Sequence, residues 1–375
     1  MSSSLTPHRF LYKKGNNLKM KVGIIGLPQT GKKTLFQILT GHEITEPSKA
    51  FKPVPGSADI LDSRFNQLVE MYEPKKNVKA RIELVLLPKM EAETISKGEI
   101  FKDIADMDAI CHIVRAFEDD AIYHAQGSVN ALRDFEMVNA ELVMHDQMFV
   151  EKRIERLEAM VKKIKDEDQQ KELVLMNRLK DHLEEEKPLR LIELTYDEEK
   201  MIRSYPFITR KKLVIAVNVS EDDLENKTLL SSFKESCETN DIEVMLVSAK
   251  VESEIAMLDT QEEKDEFLED LGIKATALES LTKLCLKSLN LISFFTVGKD
   301  EVRQWLVKKE AKAPTAAGVI HSDLERGFIR AEVFKYDELI TSGSEAELKK
   351  NGQIYVQGKD YTVEDGDILN IRFSV

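Results

Sequence analysis

Residues 21–34 read KVGIIGLPQTGKKT. An apolar run ends at Gly26, a second glycine follows at Gly31, Lys32 comes next, and TLFQILTG continues with helical spacing. Glycines at both ends of such a loop let backbone N–H groups turn inward onto phosphate oxygens. The following helix adds the positive end of its dipole, and Lys32 neutralises charge on the β and γ phosphates. Strand, loop and helix in this order predict a phosphate-binding P-loop contacting its ligand through Gly26, Pro28, Gln29, Thr30, Gly31, Lys32, Lys33 and Thr34. One position breaks the pattern. The residue after the loop lysine ordinarily carries a hydroxyl that ligates Mg²⁺, and here it is Lys33, which cannot bind a cation. Thr34 lies one residue further round the helix, so its hydroxyl is expected to point away.

Four more apolar runs of strand length follow: RIELVLL (81–87), AICHIVRAF (109–117), KLVIAVNV (212–219) and IEVMLVSA (242–249). Continuous rather than alternating Val, Ile and Leu predict strands covered on both faces, and helical stretches between them predict an α/β parallel sheet. From Ser128 to Lys187 there is neither Gly nor Pro. Ile154, Leu157, Val161 and Ile164 keep a seam spacing that Met176, Leu179 and Leu183 resume. This predicts an antiparallel helical hairpin turning at residues 165–170, a spacer or a partner-docking arm. Near the C-terminus, GFIRAEVFKY (327–336), QIYVQGKDYTV (353–363) and DILNIRFSV (367–375) alternate like half-exposed strands, predicting a separate α+β module.

A second group of signals reads a base. VNVSE (217–221) follows a buried strand at the place where P-loop GTPases carry Asn-Lys-x-Asp. Asn218 is kept, Val219 replaces the lysine that stacks on guanine, and Glu221 replaces the aspartate that accepts from its N1 and N2 edge. The extra methylene of Glu221 displaces that carboxylate and weakens the guanine code. VSAKVESEI (247–255) supplies a Ser248-Ala249-Lys250 loop at the next strand end.

The remaining composition bounds the function. No apolar run approaches the ~18 residues of a membrane span, and residues 1–19 are polar and basic, read as a disordered extension. Cys111, Cys237 and Cys285 are too few and scattered for a disulfide frame or metal cluster, which points to a reducing cytoplasm. The net charge of −13 argues against a general nucleic-acid binder and against DNA in particular. Arg303, Lys308, Lys309, Lys312, Arg326 and Arg330 form a locally basic stretch, read either as an RNA-facing patch or as scattered solubilising charge. Trp305, with Val302 and Leu306, is expected to pack a helix. His112 is expected to be a core histidine, and His321 has no partner at metal-ligand spacing.

GIIGLPQTGKKTLF, AICHIVRAFEDD, NVSE, SAKVESEIAML and APTAAGVIHSDLERGFIRAEVFKYDELI together closely resemble the Obg-like ATPase family, YchF subfamily, over residues 20–375. The resemblance implies a P-loop nucleotide-binding domain (20–127 and 205–290), an inserted coiled-coil arm (128–204) and a C-terminal ubiquitin-like TGS domain (291–375). It implies ATP preferred over GTP and a link to the ribosome or ribosomal RNA in translation. The departures fall on one task. The family's Gly-Lys-Ser-Thr is Gly31-Lys32-Lys33-Thr34 here, Ala50 takes the place of the first-switch Thr, and Leu87 takes that of the second-switch Asp. Met90 replaces the glycine whose N–H senses the γ phosphate. These positions hold Mg²⁺, so the expectation is a nucleotide-binding regulatory protein with impaired hydrolysis, no protein-held metal and no assigned catalytic residue. In it Lys33 places a second ammonium near the phosphates. Two alternatives stand beside it: an active ATPase in which Thr34 or a shifted loop recovers the metal, and a non-enzymatic ribosome-binding adaptor without nucleotide.

Overall fold

The computed structural model describes residues 20–44, 52–124, 126–163, 166–237 and 242–374. The N-terminal extension (1–19) and Ala50 lie outside the described residues. In chain order the strands are β1 (Lys21–Ile25), β2 (Val54–Asp59), β3 (Asn77–Val78), β4 (Arg81–Leu86), β5 (Ala109–Arg115), β6 (Lys212–Asn218), β7 (Glu243–Val247), β8 (Leu291–Thr296), β9 (Val302–Lys308), β10 (Phe328–Lys335), β11 (Tyr355–Gln357) and β12 (Asp367–Phe373). The helices that carry the argument are α1 (Lys32–Thr40), α2 (Ser63–Tyr72), α3 (Ala92–Lys97), α4 (Glu99–Ala105), α5 (Ala131–Val161), α6 (Glu167–Glu184), α7 (Tyr196–Ile202), α8 (Lys227–Ser236), α9 (Ala249–Ala256), α10 (Gln261–Asp270) and α11 (Ala277–Ser288), followed by α12 (Ala313–Ile320).

The chain divides into two units, one of residues 20–60 and 81–289 and the other of 61–80 and 290–375, apart from the undescribed leader. The first holds a six-stranded sheet in the order β2-β4-β1-β5-β6-β7. Every neighbour is parallel except β2, which runs antiparallel to β4. The five apolar runs are five of these strands. In β5 all seven residues are buried, as expected of a strand covered on both faces. Ile25, Val114, Leu213, Ile215 and Val217 meet Phe135, Val138 and Leu142 of α5 and Phe233 of α8 in the main core.

That packing corrects the expected insertion. The first half of the 31-residue α5 covers the sheet, and only the later part joins α6 as an arm. There Val150, Ile154, Leu157, Leu175, Met176, Leu179 and Leu183 form the seam, closed at its base by Ile202 and Phe207. Val161 is only half-buried, and α6 begins at Glu167, inside the segment expected to turn. Arg153 grips Glu172 across the seam with two bonds of 2.7 and 2.9 Å. Asp146 on α5 is fully buried and accepts from the Ile208 amide (3.0 Å), the Thr209 amide (2.8 Å) and the Thr209 hydroxyl (2.7 Å), fixing where the chain re-enters the sheet.

The second unit has the sheet order β11-β10-β12-β8-β9-β3. β8 and β9 form a hairpin, β12 lies parallel to β8, and β10 runs antiparallel to β12. α12 packs Ala313, Ala316, Ala317 and Ile320 on Phe294, Trp305 and Leu369. Trp305 therefore sits on a strand, not a helix, and its indole N–H donates to Thr296 Oγ1 at 3.0 Å. Residues 61–80, expected in the nucleotide-domain segment, belong to this unit: β3 pairs in parallel with β9, and Phe65 and Leu68 of α2 enter a core with Phe295, Val302, Phe334 and Ile368. Among the described residues no helix is long and apolar enough to cross a membrane.

Candidate functional site

The phosphate loop leaves the carboxyl end of β1 and enters α1. Gly26 has φ +146°, and a Cβ there would lie 2.3 Å from the Ile113 carbonyl oxygen. Gly31 has φ +87°, and a Cβ there would lie 2.3 Å from Asn218 Nδ2. Both positions therefore demand glycine, for backbone angle and for space. Gln29, at φ +60°, turns the loop between them. Thr30 is buried and bonds through its hydroxyl to the Leu27 carbonyl at 3.1 Å, so its side chain stitches the loop together.

Gly31 is the N-cap of α1 and offers no side-chain cap, and the first turn holds no acidic residue. The helix opens instead with Lys32 and Lys33. Two cations at the positive end of a helix, above uncapped N–H groups, oppose the dipole in isolation and suit an anion placed over them. Lys32 is buried, and its ammonium donates to the carbonyls of Gly26 (2.7 Å) and Leu27. Burial, with the Lys89 ammonium as a second cause, pulls its pKa down to about 7, while Glu91 opposes the shift. Lys33 and Thr34 are exposed.

The expected base side is built on Asn218. Its amide donates to the Thr30 carbonyl at 3.1 Å and accepts from the Ala249 N–H at 3.0 Å. One buried side chain thus ties the phosphate loop to the Ser248-Ala249-Lys250 loop. Ser248 caps α9 by accepting from the Val251 N–H, and Lys250 is exposed. Glu221 sits exposed in a 3₁₀ turn. Val219 departs from its sequence reading. It is buried in the main core, and its N–H donates to the Val247 carbonyl at 2.8 Å, so its side chain presents nothing to a base.

Of the positions where metal-gripping or γ-phosphate-sensing groups were expected, Lys33 is exposed, while Leu87 and Met90 are apolar and buried. Leu87 and Met90 belong to the main core, and the Met90 N–H donates to the Gly26 carbonyl at 3.3 Å. The donor chemistry decides whether Mg²⁺ fits. An ammonium at Lys33 and an alkyl chain at Leu87 have no lone pair to give. These residues do not fit a protein-held Mg²⁺. The loop amides, the dipole and Lys32 do fit a nucleotide polyphosphate.

Two residues near the site escaped the sequence reading. Lys89 is exposed in the turn after β4, one residue before the Met90 amide that touches Gly26. A lysine directly after Pro88, in the expected second-switch segment, was the available signal. Arg115, a charge inside an apolar strand, is almost fully buried and clamps the acidic loop after β5 through the carbonyls of Phe117, Asp119 and Ile122 (3.1, 3.3 and 3.1 Å). His112 is buried against Phe135, and burial with the Lys32 charge depresses its pKa to about 3. All three cysteines are buried and free. The residues of the basic stretch all lie in the second unit. Arg303 lies over the Trp305 ring at 4.1 Å, Arg326 pairs with Asp323, and Lys312 bonds to the Asp360 carbonyl and Thr362, while Lys308, Lys309 and Arg330 are exposed. His321 caps a short helix by accepting from the Asp323 N–H.

A model named YchF-GTPase_C, described as a protein of unknown function (DUF933), matches residues 291–374. The chain is 39% identical over 369 residues to "Ribosome-binding ATPase YchF" of Bacillus subtilis (strain 168), covering 96% of this chain and all of that one. It is 38% identical to the protein of the same name from Escherichia coli O157:H7, covering 95% and 99%. "Obg-like ATPase 1" of Caenorhabditis elegans is 35% identical, with 96% and 93% covered. The solved structure of the Schizosaccharomyces pombe YchF GTPase superposes with a TM-score of 0.80 at 30% identity, covering 96% of this chain and 99% of that one. A P-loop sheet carrying a helical arm, a second α+β unit and relatives matched from end to end place this chain in the YchF family of Obg-like ATPases.

Proposed function

We propose that this chain binds ATP in preference to GTP at the 26–34 loop, acts on the ribosome, and hydrolyses its nucleotide slowly or not at all. One observation carries the reading: a phosphate loop complete in Gly26, Gly31 and Lys32 stands beside Lys33 and the buried Leu87, where metal-gripping groups are expected. In-line attack on a γ phosphate depends on Mg²⁺ bridging the β and γ oxygens and on groups that place it. A pocket without those groups retains ground-state binding from the loop amides and loses stabilisation of the charge that develops in the transition state. The Met90 amide, engaged with the Gly26 carbonyl, supports the same conclusion for γ-phosphate sensing.

Weakened guanine discrimination follows from Glu221 and from a Val219 side chain turned into the core. Ribosome association is inferred from the names of the bacterial relatives, and Met144 and Met148, exposed one turn apart on α5 on either side of Asp146, offer an apolar strip beside the root of the arm for such a partner. Isothermal titration with ATP and GTP, phosphate-release assays and co-sedimentation with ribosomes test the three parts. Expected are ATP binding, turnover at the level of a Lys32→Ala control, and nucleotide-sensitive co-sedimentation. Phosphate release well above that control overturns the hydrolysis claim.

A further inference from the structure

Resting on that reading of the loop, we infer that the pocket takes its nucleotide without a divalent cation, with Lys33 and Lys89 supplying the charge that Mg²⁺ brings elsewhere. An ordinary P-loop meets the β and γ phosphates with one lysine and one Mg²⁺, three positive charges in all. Here Lys32, Lys33 and Lys89 supply three, set against the one carboxylate, Glu91, whose charge also reaches Lys32. Lys33 is the second residue of α1, where the helix dipole points at the ligand. Lys89 follows β4, and the next residue's amide sits 3.3 Å from the Gly26 carbonyl, placing Lys89 beside the first glycine of the loop. It lies near enough to Lys32 for its charge to bear on that ammonium. Among the described residues neither Lys33 nor Lys89 enters an ion pair.

Three ammonium groups gathered at one loop repel each other and would repel a divalent cation; a polyphosphate relieves both costs. The ligand class is therefore the metal-free nucleoside di- or triphosphate. MgATP carries two fewer negative charges than free ATP, so the cation competes with the lysines rather than assisting them.

The test is titration calorimetry of the full chain with ATP and with ADP, in excess EDTA and in excess MgCl₂. Affinity in EDTA is expected to equal or exceed that in MgCl₂. Lys33→Ala and Lys89→Ala are expected to weaken binding in EDTA roughly tenfold each. Both residues are exposed, so the melting temperatures of the unliganded variants should match the parent. Binding that weakens tenfold or more on chelation overturns the inference while leaving the nucleotide site standing. Unchanged affinity in both variants also overturns it, as charge elsewhere would then be responsible. Absence of ATP and ADP binding in either buffer overturns the nucleotide reading itself, and this inference with it.

Discussion

At the scale of single residues, Lys32 and Glu252 make the sharpest predictions. Unliganded Lys32 gives up its proton near pH 7 because it is buried beside Lys89, whereas a phosphate against it would hold the proton to higher pH. Nucleotide binding at pH 8 should therefore take up protons, and affinity should fall as pH rises above 7, by at most about tenfold per unit. Calorimetry at pH 8 in buffers of different ionisation enthalpy measures that uptake. Glu252 on α9 is buried and accepts the Ala277 N–H at the start of α11 at 2.7 Å, and burial raises its pKa to about 6. Its folded form holds a proton more tightly than the unfolded chain, so its contribution is complete below the unfolded pKa and is lost as pH rises through 6. Glu252→Gln keeps the accepting oxygen without the charge. It should stabilise the protein by up to about 2 kcal/mol at pH 7.5 and by little near pH 4.5, measured by thermal melts at both values. The glycines and Lys32 were readable from sequence because backbone geometry admits no other residue at those two loop positions. Lys89 and the side-chain burial of Val219 were not, because each depends on where a distant strand end comes to lie.

At the scale of elements, long apolar runs announced the five parallel strands, while β2 escaped notice. Its sequence, VPGSAD, contains Pro and Gly and only one buried residue, as suits an antiparallel edge. β8 and β9 were also missed, their pattern being broken by Ser293 and Gln304, which are buried and hydrogen-bonded to each other at 3.1 Å. The arm was legible as a seam but not in its extent, since the α5 periodicity runs unbroken from sheet cover to hairpin. Where one role ends is marked by Asp146. Asp146→Ala would strand the buried amides of Ile208 and Thr209 and should cost about 3 kcal/mol, read from urea denaturation followed by circular dichroism. Asp146→Asn, which keeps an accepting oxygen, should recover part of that loss.

At the scale of the whole molecule, the fold class and the family were legible, and the crossing of the chain between units was not. Nothing in SRFNQLVEMY says which of two sheets its apolar face will meet, because amphipathic spacing records a face and not a partner. Phe65 and Leu68 complete the core of the second unit, so residues 290–375 made alone should melt well below the same unit in the full chain. Phe65→Ala in the full chain should destabilise that unit by about 3–5 kcal/mol and leave ATP binding unchanged. The protein has one tryptophan, Trp305, on β9, so its fluorescence reports the second unit separately from circular dichroism of the whole. The same crossing sets an order of events during synthesis. α2 emerges from the ribosome about 220 to 300 residues ahead of the strands that cover it, a wait of roughly ten to sixty seconds at 5–20 residues per second. For that interval Phe65 and Leu68 have no native shelter, and the nascent chain carries an apolar helix face that stays uncovered until its last eighty-odd residues arrive.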